Sequence, residues 1–327
     1  MTTLSPPQYA FRAFLLLSVL CTAMFLESGE GASNGGPSVT VPDHTIVFVG
    51  DTQRTGFWEL ILLREQNDEE RIAVMQEIAR ERPALIVHLG DVVDQGDNTR
   101  SWEQFDHLIA PAREASIPMV AVPGNHDYFG DRDLALRNFF QRFPHVGGRT
   151  WSSVREDSIG IILLNSNFGE MSDSERAEQE SWYRAELDIL QNDPGLVAVI
   201  VCCHHAPYTN STVVSDNDDV QKRFVPAFLA IPKAVIFFAG HCHSYEHFVQ
   251  GGKHFVVSGG GGGPRQRLSS NRDASRHKDL YDGGMLRRFN FCKLSLHSGL
   301  VTVQVMMFDP EKDAAWSVGD TWGVQAP

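Results

Sequence analysis

Basic side chains are scarce in this chain of 327 residues: 28 lysines and arginines stand against 41 aspartates and glutamates, for a formal net charge of −13. So acidic a protein has no general affinity for nucleic acid or for anionic membranes, and we expect neither as a partner. A phosphorylated substrate, small or macromolecular, would have to find its positive charge in bound metal ions or in a local group of arginines.

Cysteine is scarce as well, with five residues in the whole chain. Four of them lie beyond the N-terminal segment, at positions 202, 203, 242 and 292. Four thiols in a chain of this length do not make a disulfide scaffold, and we expect buried free thiols. One bridge, from Cys242 to Cys202 or Cys203, stays open as the alternative in an oxidising compartment.

The N-terminal segment contains an apolar run that is too short to cross a bilayer comfortably. The run covers residues 13–26, follows Arg12, and is followed at once by the linker-like sequence SGEGASNGGPS. This order is typical of a signal peptide, and a buried N-terminal helix is the weaker alternative. We predict a signal peptide and linker at residues 1–32, export to the periplasm or the extracellular space, and no stable membrane span. A cytoplasmic protein with a misleading N-terminus is the competing interpretation.

Strands and helices alternate through the rest of the chain, without an internal repeat. Five predicted strands each end in a cluster of residues that can bind metals, with the sequences GDTQ, GDVVD, GNHD, HHAP and GHCH. In layered α/β folds, ligands bind at the carboxyl ends of strands. One such cluster is commonly a turn or a helix cap, but five in series predict a shared site. We place the domain at residues 43–309 and a C-terminal tail at residues 310–327.

The residue types in the five clusters suit two neighbouring cations. Aspartate, asparagine and glutamine offer oxygen ligands, and histidine offers nitrogen. One shared carboxylate can bridge two ions roughly 3.5–4 Å apart, which is the usual spacing in two-metal hydrolytic sites. Such a pair makes hydroxide from water near neutral pH and holds phosphoryl oxygens during in-line attack.

In this order the clusters resemble the motifs of the calcineurin-like metallophosphoesterase superfamily, which are D-x-H, GDxxD, GNHD, a strand ending in H-x-P, and GHxH. They stand here as Asp51-Thr52-Gln53, Gly90-Asp91-Val92-Val93-Asp94, Gly124-Asn125-His126-Asp127, His205-Ala206-Pro207 and Gly240-His241-Cys242-His243. The resemblance covers residues 50–243. It implies an α/β fold, a four-layer α/β/β/α sandwich of two mixed β-sheets with flanking helices.

The resemblance also implies roles for individual residues. The first metal would be held by Asp51, Gln53, Asp91 and His243, and the second by Asp91, Asn125, His205 and His241. His126 would act as general acid or transition-state stabiliser, with Asp127 orienting it. The implied reaction is hydrolysis of a phosphate monoester or diester by a hydroxide that bridges the two metals. A catalytically weak or inactive protein that binds metal and phosphate is the alternative.

Two positions depart from the family pattern. Gln53 stands where the family has histidine, so the first metal site is richer in oxygen, which favours Mn or Fe while leaving Zn open. The sequences GHCHSYE and HAPYTN are similar to the purple acid phosphatase branch, but Asp94 stands where that branch has a metal-binding tyrosine. We therefore predict a protein without purple colour.

Several residues near the motifs allow two interpretations. His204 precedes His205 in the chain, and because side chains alternate along a strand we predict that it points away from the metals. Arg265 and Arg267, in a long glycine-rich loop at residues 259–284, could grip a substrate phosphate or belong to a solvated loop. Arg54 is a similar candidate, and Asn125 would touch both metal and substrate. Substrate identity and oligomeric state are open.

Overall fold

The computed structural model describes residues 44–269, 276–311 and 315–327. The predicted leader and linker at residues 1–32 lie outside the described residues. All described residues belong to one compact unit, which spans Pro42–Pro327.

Two six-stranded mixed sheets form the centre of the fold. The first contains β1 (Thr45–Val49), β2 (Leu85–His88), β3 (Met119–Ala121), β10 (Phe289–His297), β11 (Leu300–Phe308) and β12 (Trp316–Gln325), in the spatial order β12–β11–β10–β1–β2–β3. The second contains β4 (Ser152–Glu156), β5 (Ile159–Leu163), β6 (Ala198–Cys202), β7 (Ala234–Ala239), β8 (Tyr245–Gln250) and β9 (Lys253–Ser258), in the order β4–β5–β6–β7–β9–β8. The strands that precede the five motifs pair in parallel within each sheet, so their carboxyl ends share one edge.

The helices follow the pattern predicted for connections between parallel strands. Those before β4 are α1 (Phe57–Ile61), α2 (Asp68–Glu81), α3 (Thr99–Leu108), α4 (Ala110–Glu114) and α5 (Arg132–Arg142), and those after β5 are α6 (Asp173–Asn192), α7 (Asp218–Arg223) and α8 (Val225–Ala230). Short 3₁₀ turns stand at His126–Tyr128, Pro144–Val146 and Phe168–Glu170. Within the described ranges, no helix combines the length and apolar character needed to cross a membrane.

Local sequence explains where the longest helix begins and what it buries. Ser172 and Glu175 form a reciprocal capping box at the start of α6, which satisfies free backbone N–H groups of the first turn. Four residues spaced by four or three positions form its buried stripe: Gln179, Tyr183, Leu187 and Leu190. This spacing places them on one face of the helix, against the second sheet.

Alternation along the strands divides the core into layers. Ile46 and Phe48 of β1 face the second sheet, and the Phe48 ring stacks on Phe238 with centroids 4.2 Å apart. Val47 and Val49 face the opposite way and pack with residues of α2, α3, α4 and α5. A third cluster joins the second sheet to α6, α7 and α8. The predicted four-layer α/β/β/α sandwich of two mixed sheets is confirmed.

The predicted C-terminal tail is wrong for most of its length. Residues 316–325 form β12, an edge strand that pairs antiparallel with β11. Trp316 packs on Phe291 with ring centroids 5.2 Å apart. The sequence WSVGDTWGVQ did not suggest a strand because glycine and aspartate interrupt its apolar positions, a composition that suits an edge strand with solvent on one side.

Candidate metal centre

The five motifs meet at the shared edge of the two sheets. β1 leads to Asp51 and Gln53, β2 to Asp91, β3 to Asn125 and His126, β6 to His204 and His205, and β7 to His241 and His243. The sheets are joined there by backbone bonds, including one of 2.8 Å from the Gly50 N–H to the Ser258 carbonyl. The convergence places ligand side chains from both sheets around one centre.

Asp51, Gln53 and His243 form one side of the centre. His243 Nε2 lies 3.4 Å from Asp51 Oδ1 and 3.0 Å from Gln53 Nε2. The other ring nitrogen of His243, Nδ1, donates to the Pro264 carbonyl at 2.7 Å. Because a carbonyl only accepts, this bond fixes the proton on Nδ1 and leaves Nε2 free to bind a cation.

Asp91 lies between the two sides of the centre. Its side chain is 1% exposed, and Oδ1 accepts a bond of 2.9 Å from the backbone N–H of His126. Oδ2 lies 3.4 Å from Gln53 Nε2, while Oδ1 lies 3.3 Å from His204 Nε2. A carboxylate that faces ligand residues on both sides has the placement expected of a bridge between two ions.

His204 does not point away from the centre, and the prediction that it would is wrong. Its Nε2 lies 3.1 Å from Asn125 Oδ1 and 3.2 Å from His241 Nδ1, and its Nδ1 donates to the Leu89 carbonyl at 2.8 Å. The alternation argument fails because β6 ends at Cys202, so the chain at position 204 has already left the strand. His204 is fully buried at the middle of the site.

His205 remains at the edge of the same group. Its Nδ1 lies 2.9 Å from Ser166 Oγ, and its ring centroid lies 4.5 Å from that of His241. Ligand atoms of His204, His205 and His241 lie within 4.8 Å of one another, as do those of Asp51, Asp91 and His204. The two triads share His204, which the sequence alone did not select.

The ionisation of these groups shows what the site requires. Burial raises the pKa of Asp51 well above its usual value. Burial would also raise the pKa of Asp91, but His204 and His126 hold it well below its usual range. Burial lowers the pKa of His205 to about 3 and of His243 to about 4, so both rings are neutral at pH 7. The neutral rings of His205 and His243 and the ionised carboxylate of Asp91 are in the protonation state that metal binding needs.

One orphaned atom supports the same conclusion. The amide oxygen of Gln53 is buried without a hydrogen-bond partner, while its amide nitrogen faces the ligand atoms of Asp91 and His243. A half-turn of the amide would direct the oxygen to the place where a cation would lie, and it would then have a partner. Together with the mixed nitrogen and oxygen donors, this shows that the residues present fit a pair of metal ions.

Four of the ligand residues have left-handed backbone conformations. Their φ angles are 63° at Asp51, 51° at Asp91, 69° at His241 and 42° at His243. Residues other than glycine adopt this region rarely, and such strain is concentrated at functional sites. The surrounding fold therefore holds these four side chains at the centre against their local backbone preference.

Replacing Gly124 with alanine is expected to destabilise the protein by about 1–3 kcal/mol and to weaken metal binding. A Cβ atom at this position would lie 2.1 Å from the Asp91 backbone nitrogen and 2.2 Å from Asp91 Oδ1. Thermal melting and metal content measure the two effects. Gly169→Ala is the matched control, because no atom lies within 4 Å of a Cβ placed there. Equal melting temperatures for both variants would contradict the predicted clash.

Asp127 does not orient His126 as predicted. Its carboxylate accepts from the backbone N–H groups of Val92, Val93 and Gly124, at 2.8–3.3 Å. Asp127 therefore ties the second motif to the third, and burial raises its pKa to about 7. His126 Nδ1 instead donates to the Asp94 carbonyl at 3.1 Å, while its Nε2 lies 4.0 Å from Asp91 Oδ2.

Two of the arginines predicted to grip substrate are engaged elsewhere. The Arg265 guanidinium donates to both carboxylate oxygens of Glu65, at 2.9 and 3.0 Å, and its side chain is 9% exposed. Arg54 makes a two-pronged ion pair with Asp68. Arg267 is exposed, and its carbonyl accepts from Thr212. Of the predicted substrate residues, Asn125 is the one found among the ligand atoms.

The four described cysteines are free thiols and all are buried. Burial raises the pKa of the Cys242 thiol well above its usual value. A buried neutral thiol beside the GHCH motif packs as a small apolar side chain.

Sequence reasoning missed the residues that hold the ligands in place. The hydroxyl of Ser166 contacts His205. Backbone carbonyls hold the other three rings: that of Pro264 holds His243, that of Asp94 holds His126 and that of Leu89 holds His204. A carbonyl contact leaves no signal in side-chain identity. The doubled histidine at positions 204 and 205 was the one available signal, and it marked the right place.

Known proteins resemble this chain in sequence and in fold. Purple acid phosphatase 1 of Ipomoea batatas is 28% identical over 166 residues, which are 46% of this chain and 33% of that protein. A probable cyclic nucleotide phosphodiesterase of Rhodococcus erythropolis is 25% identical over 169 residues, 51% of this chain and 53% of that one. The chain thus spans a third to a half of these relatives.

Solved structures and a family model agree with that result. Purple acid phosphatase PPD1 of yellow lupin has a TM-score of 0.65 at 17% identity, over 86% of this chain and 53% of that one. GAP50, the anchor in the inner membrane complex of Plasmodium, has a TM-score of 0.65 at 14% identity, over 87% of this chain and 89% of that one. These show the fold. The model of the calcineurin-like phosphoesterases matches residues 44–245, and the chain therefore belongs to that family.

Proposed function

We propose that this protein hydrolyses a phosphate ester, monoester or diester, with the help of two metal ions. The observation that carries the proposal is the placement of Asp91, buried between one set of ligand atoms that includes His243 and another that includes His204. Asp51 and Asp91 are both buried beside the neutral rings of His205 and His243, a donor set whose charge a bound cation would balance.

The donors divide into two groups around Asp91. Asp51, Gln53 and His243 would hold the first metal with it, and Asn125, His204 and His241 the second, with His205 at its edge. The oxygen donors favour Mn or Fe, and Zn is compatible. Metal ions held there lower the pKa of water and neutralise charge that develops on phosphoryl oxygens.

In this proposal, His126 donates the proton that the leaving group needs. Its Nδ1 is fixed by the Asp94 carbonyl, so in the neutral ring Nε2 is the free nitrogen, and it faces Asp91 from 4.0 Å. The His126 side chain is 18% exposed, whereas Asp51, Asp91 and His204 are buried. When both ring nitrogens carry protons, Nε2 can donate to the oxygen that leaves phosphorus.

Turnover of p-nitrophenyl phosphate and bis-p-nitrophenyl phosphate tests the proposal. The protein should be stripped of metal and reloaded with Mn, Fe, Zn or Co, and its metal content measured beside the rate. We expect hydrolysis of at least one compound that depends on metal. Two bound metals without turnover of either compound would favour the alternative, a binding protein of this fold. GAP50 of Plasmodium, which has a similar fold, is an anchor in the inner membrane complex.

Protein loaded with Fe(III) is expected to lack a tyrosinate-to-iron absorption band in the visible range. Asp94 stands where the purple acid phosphatases have their ligand tyrosine, and the tyrosines nearest to the motifs have other partners. The Tyr128 hydroxyl accepts from Asn165 at 2.8 Å, and the Tyr208 ring packs on Phe255. An absorption spectrum of the iron-loaded protein checks this, and a purple solution would contradict it.

The metal-free protein is expected to lose stability as the pH rises from about 7 to 9. Burial alone would lower the pKa of His204, but Asp91 and Asp51 raise it to about 9. A histidine whose pKa is raised in the folded state stabilises that state fully at pH values below its ordinary pKa of about 6.5. This stabilisation is lost as the pH rises through the folded-state pKa of about 9. Bound metal displaces the same proton, so loaded protein should not show this loss. Melting curves at both pH values, with chelator or with Mn²⁺, measure the difference, and parallel shifts would argue against it.

A further inference from the structure

An exposed apolar tip stands on the loop at residues 55–65, which follows β1 and contains the short helix α1. Leu60, Ile61, Leu62 and Leu63, which we call the apolar tip, are 38%, 55%, 73% and 91% exposed in that order. The other large apolar side chains found exposed in the described ranges stand singly, as on most protein surfaces. Four consecutive exposed aliphatic side chains are costly in water and indicate a surface that covers them.

The loop beneath the apolar tip is closed at its base. The Thr55 hydroxyl donates to the Glu65 carbonyl at 2.5 Å, so the two ends of the loop meet. The Glu65 side chain is held in turn by the Arg265 guanidinium through bonds of 2.9 and 3.0 Å. This ion pair, which removed Arg265 from the substrate residues, gives the loop a fixed support.

The same base is joined to the metal centre. Gln53 precedes the loop by two residues, and Arg64, which directly follows the apolar tip, donates to the Pro264 carbonyl at 3.1 Å. That carbonyl also accepts from His243 Nδ1. The apolar tip is therefore attached on both sides to groups that contact the first metal site.

The conformation of the loop presents the apolar tip without charge. No charged residue lies among positions 60–63, and the carboxylate of Glu59 accepts from the Gly56 N–H at 2.8 Å. Leu63, the most exposed residue, has a φ of 54°, a conformation that leucine rarely adopts. The strained backbone, and the exposure of the apolar tip among the residues that the structure describes, point to a role outside the folded domain.

The size of the apolar tip distinguishes between covering partners. A stable protein interface buries about 800 Å² and about 20–30 residues on each side, and the tip offers four. Insertion into the lipid headgroup region, roughly 5–10 Å deep, gains binding strength in proportion to the apolar area buried and sets no such minimum area. The net charge of −13 opposes anionic lipid, so the matching surface is zwitterionic.

We propose that the apolar tip inserts into a zwitterionic lipid surface and presents the metal centre to phosphoester groups of lipids in that surface. The substrate class in this statement rests on the proposed phosphoesterase function, whereas the docking does not. A lipid surface beside the site would raise the local concentration of lipid phosphoesters without any pocket for the headgroup.

Sedimentation with phosphatidylcholine vesicles tests the docking. Full-length protein loaded with metal is compared with the double variant Leu62→Ser, Leu63→Ser and with a control, Ile189→Ser, Val318→Ser, which removes exposed apolar residues from α6 and β12. We expect the partition coefficient to fall at least tenfold in the first variant and to stay within twofold in the control. Hydrolysis of soluble p-nitrophenyl phosphate should be within twofold in all three proteins.

The outcomes separate the docking from the enzymatic activity. Equal partition of the two variants, or no binding of the wild type, would overturn the docking even where soluble substrate is hydrolysed. The wild type could instead self-associate without binding vesicles, and the Leu62→Ser, Leu63→Ser variant could abolish that association. This result would assign the tip to a second copy of the chain and would also overturn the lipid docking. Vesicle binding without any hydrolysis would leave the docking in place and count against the phosphoesterase.

Discussion

Replacing Asp91 with asparagine is expected to lower kcat for p-nitrophenyl phosphate by at least about 10³-fold and to release metal from the protein. Asp91 faces both groups of ligands, through Gln53 on one side and His204 on the other. Asparagine keeps the shape and can still accept the bond from the His126 N–H. It replaces a charged oxygen with a neutral amide, whose remaining oxygen is too weak a donor to hold two cations together.

The same substitution should leave the fold intact without metal. Asp91 is buried, and its neighbour His204 would lose the charge that keeps it protonated, so both groups become neutral together. A neutral pair in a buried site costs less than a single unpaired charge. Metal content by elemental analysis and melting temperature in chelator separate loss of metal from loss of structure.

Asp106→Asn is the matched control for Asp91→Asn. Asp106 is an aspartate of α3 that pairs with Arg142 at 2.7 Å and Arg113 at 2.8 Å, in the same domain but outside the motifs. The Asp106→Asn variant should keep its metals and most of its activity. A value of kcat in Asp91→Asn within tenfold of the wild type would refute the bridging role.

The part of the site that sequence predicts is the part that depends on chain topology. Parallel strands must present their carboxyl ends at one edge, so GD, GNHD and GHCH had to meet there once the alternation of strands and helices was recognised. The glycines confirm how tight that meeting is, since a side-chain atom at Gly124 would overlap Asp91. The motifs at the strand ends are therefore enough to predict where the centre lies.

The part that sequence could not predict depends on the chain beyond each strand end. His204 and His205 are adjacent, and which of them faces inward depends on where β6 stops, a matter of one residue. Asp127 is next to His126 in sequence, yet its carboxylate turns to the N–H groups of Val92 and Val93. Side chains alternate regularly only within a strand, so beyond the strand end two neighbouring residues of one motif can point to different partners.

The arginines illustrate a different limit. Arg265 and Arg54 have the chemistry to bind phosphate, but Glu65 and Asp68 lie within reach and compete for the same donors. Both carboxylates come from the short segment that leads into α2, far in sequence from the glycine-rich loop that contains Arg265. Arg265 pairs with Glu65 across 200 positions and Arg54 with Asp68 across 14, and neither pairing forms a motif that the sequence displays.

His204→Gln is expected to lower kcat by about 10²–10³-fold and to remove the second metal, whereas His205→Gln should cost about tenfold. His204 belongs to both triads of close ligand atoms, is fully buried, and has its Nδ1 bound to the Leu89 carbonyl, which leaves Nε2 directed at Asp91 and Asn125. His205 belongs to one triad, and its Nδ1 is engaged by Ser166. The structure therefore ranks the two histidines in the order opposite to that implied by the H-x-P motif.

Glutamine suits both positions because it matches the reach of histidine and can bind one polar partner, so the two variants differ mainly in what they do to the metals. Metal content per chain, kcat and the melting temperature in chelator should be measured for both. In His204→Gln the metal content should fall toward one ion, with the metal-free melting temperature of His205→Gln as the reference for folding. Both rings lie beside His241, so a larger loss of metal and of kcat in His205→Gln would restore His205 as the principal ligand and move His204 to a supporting position.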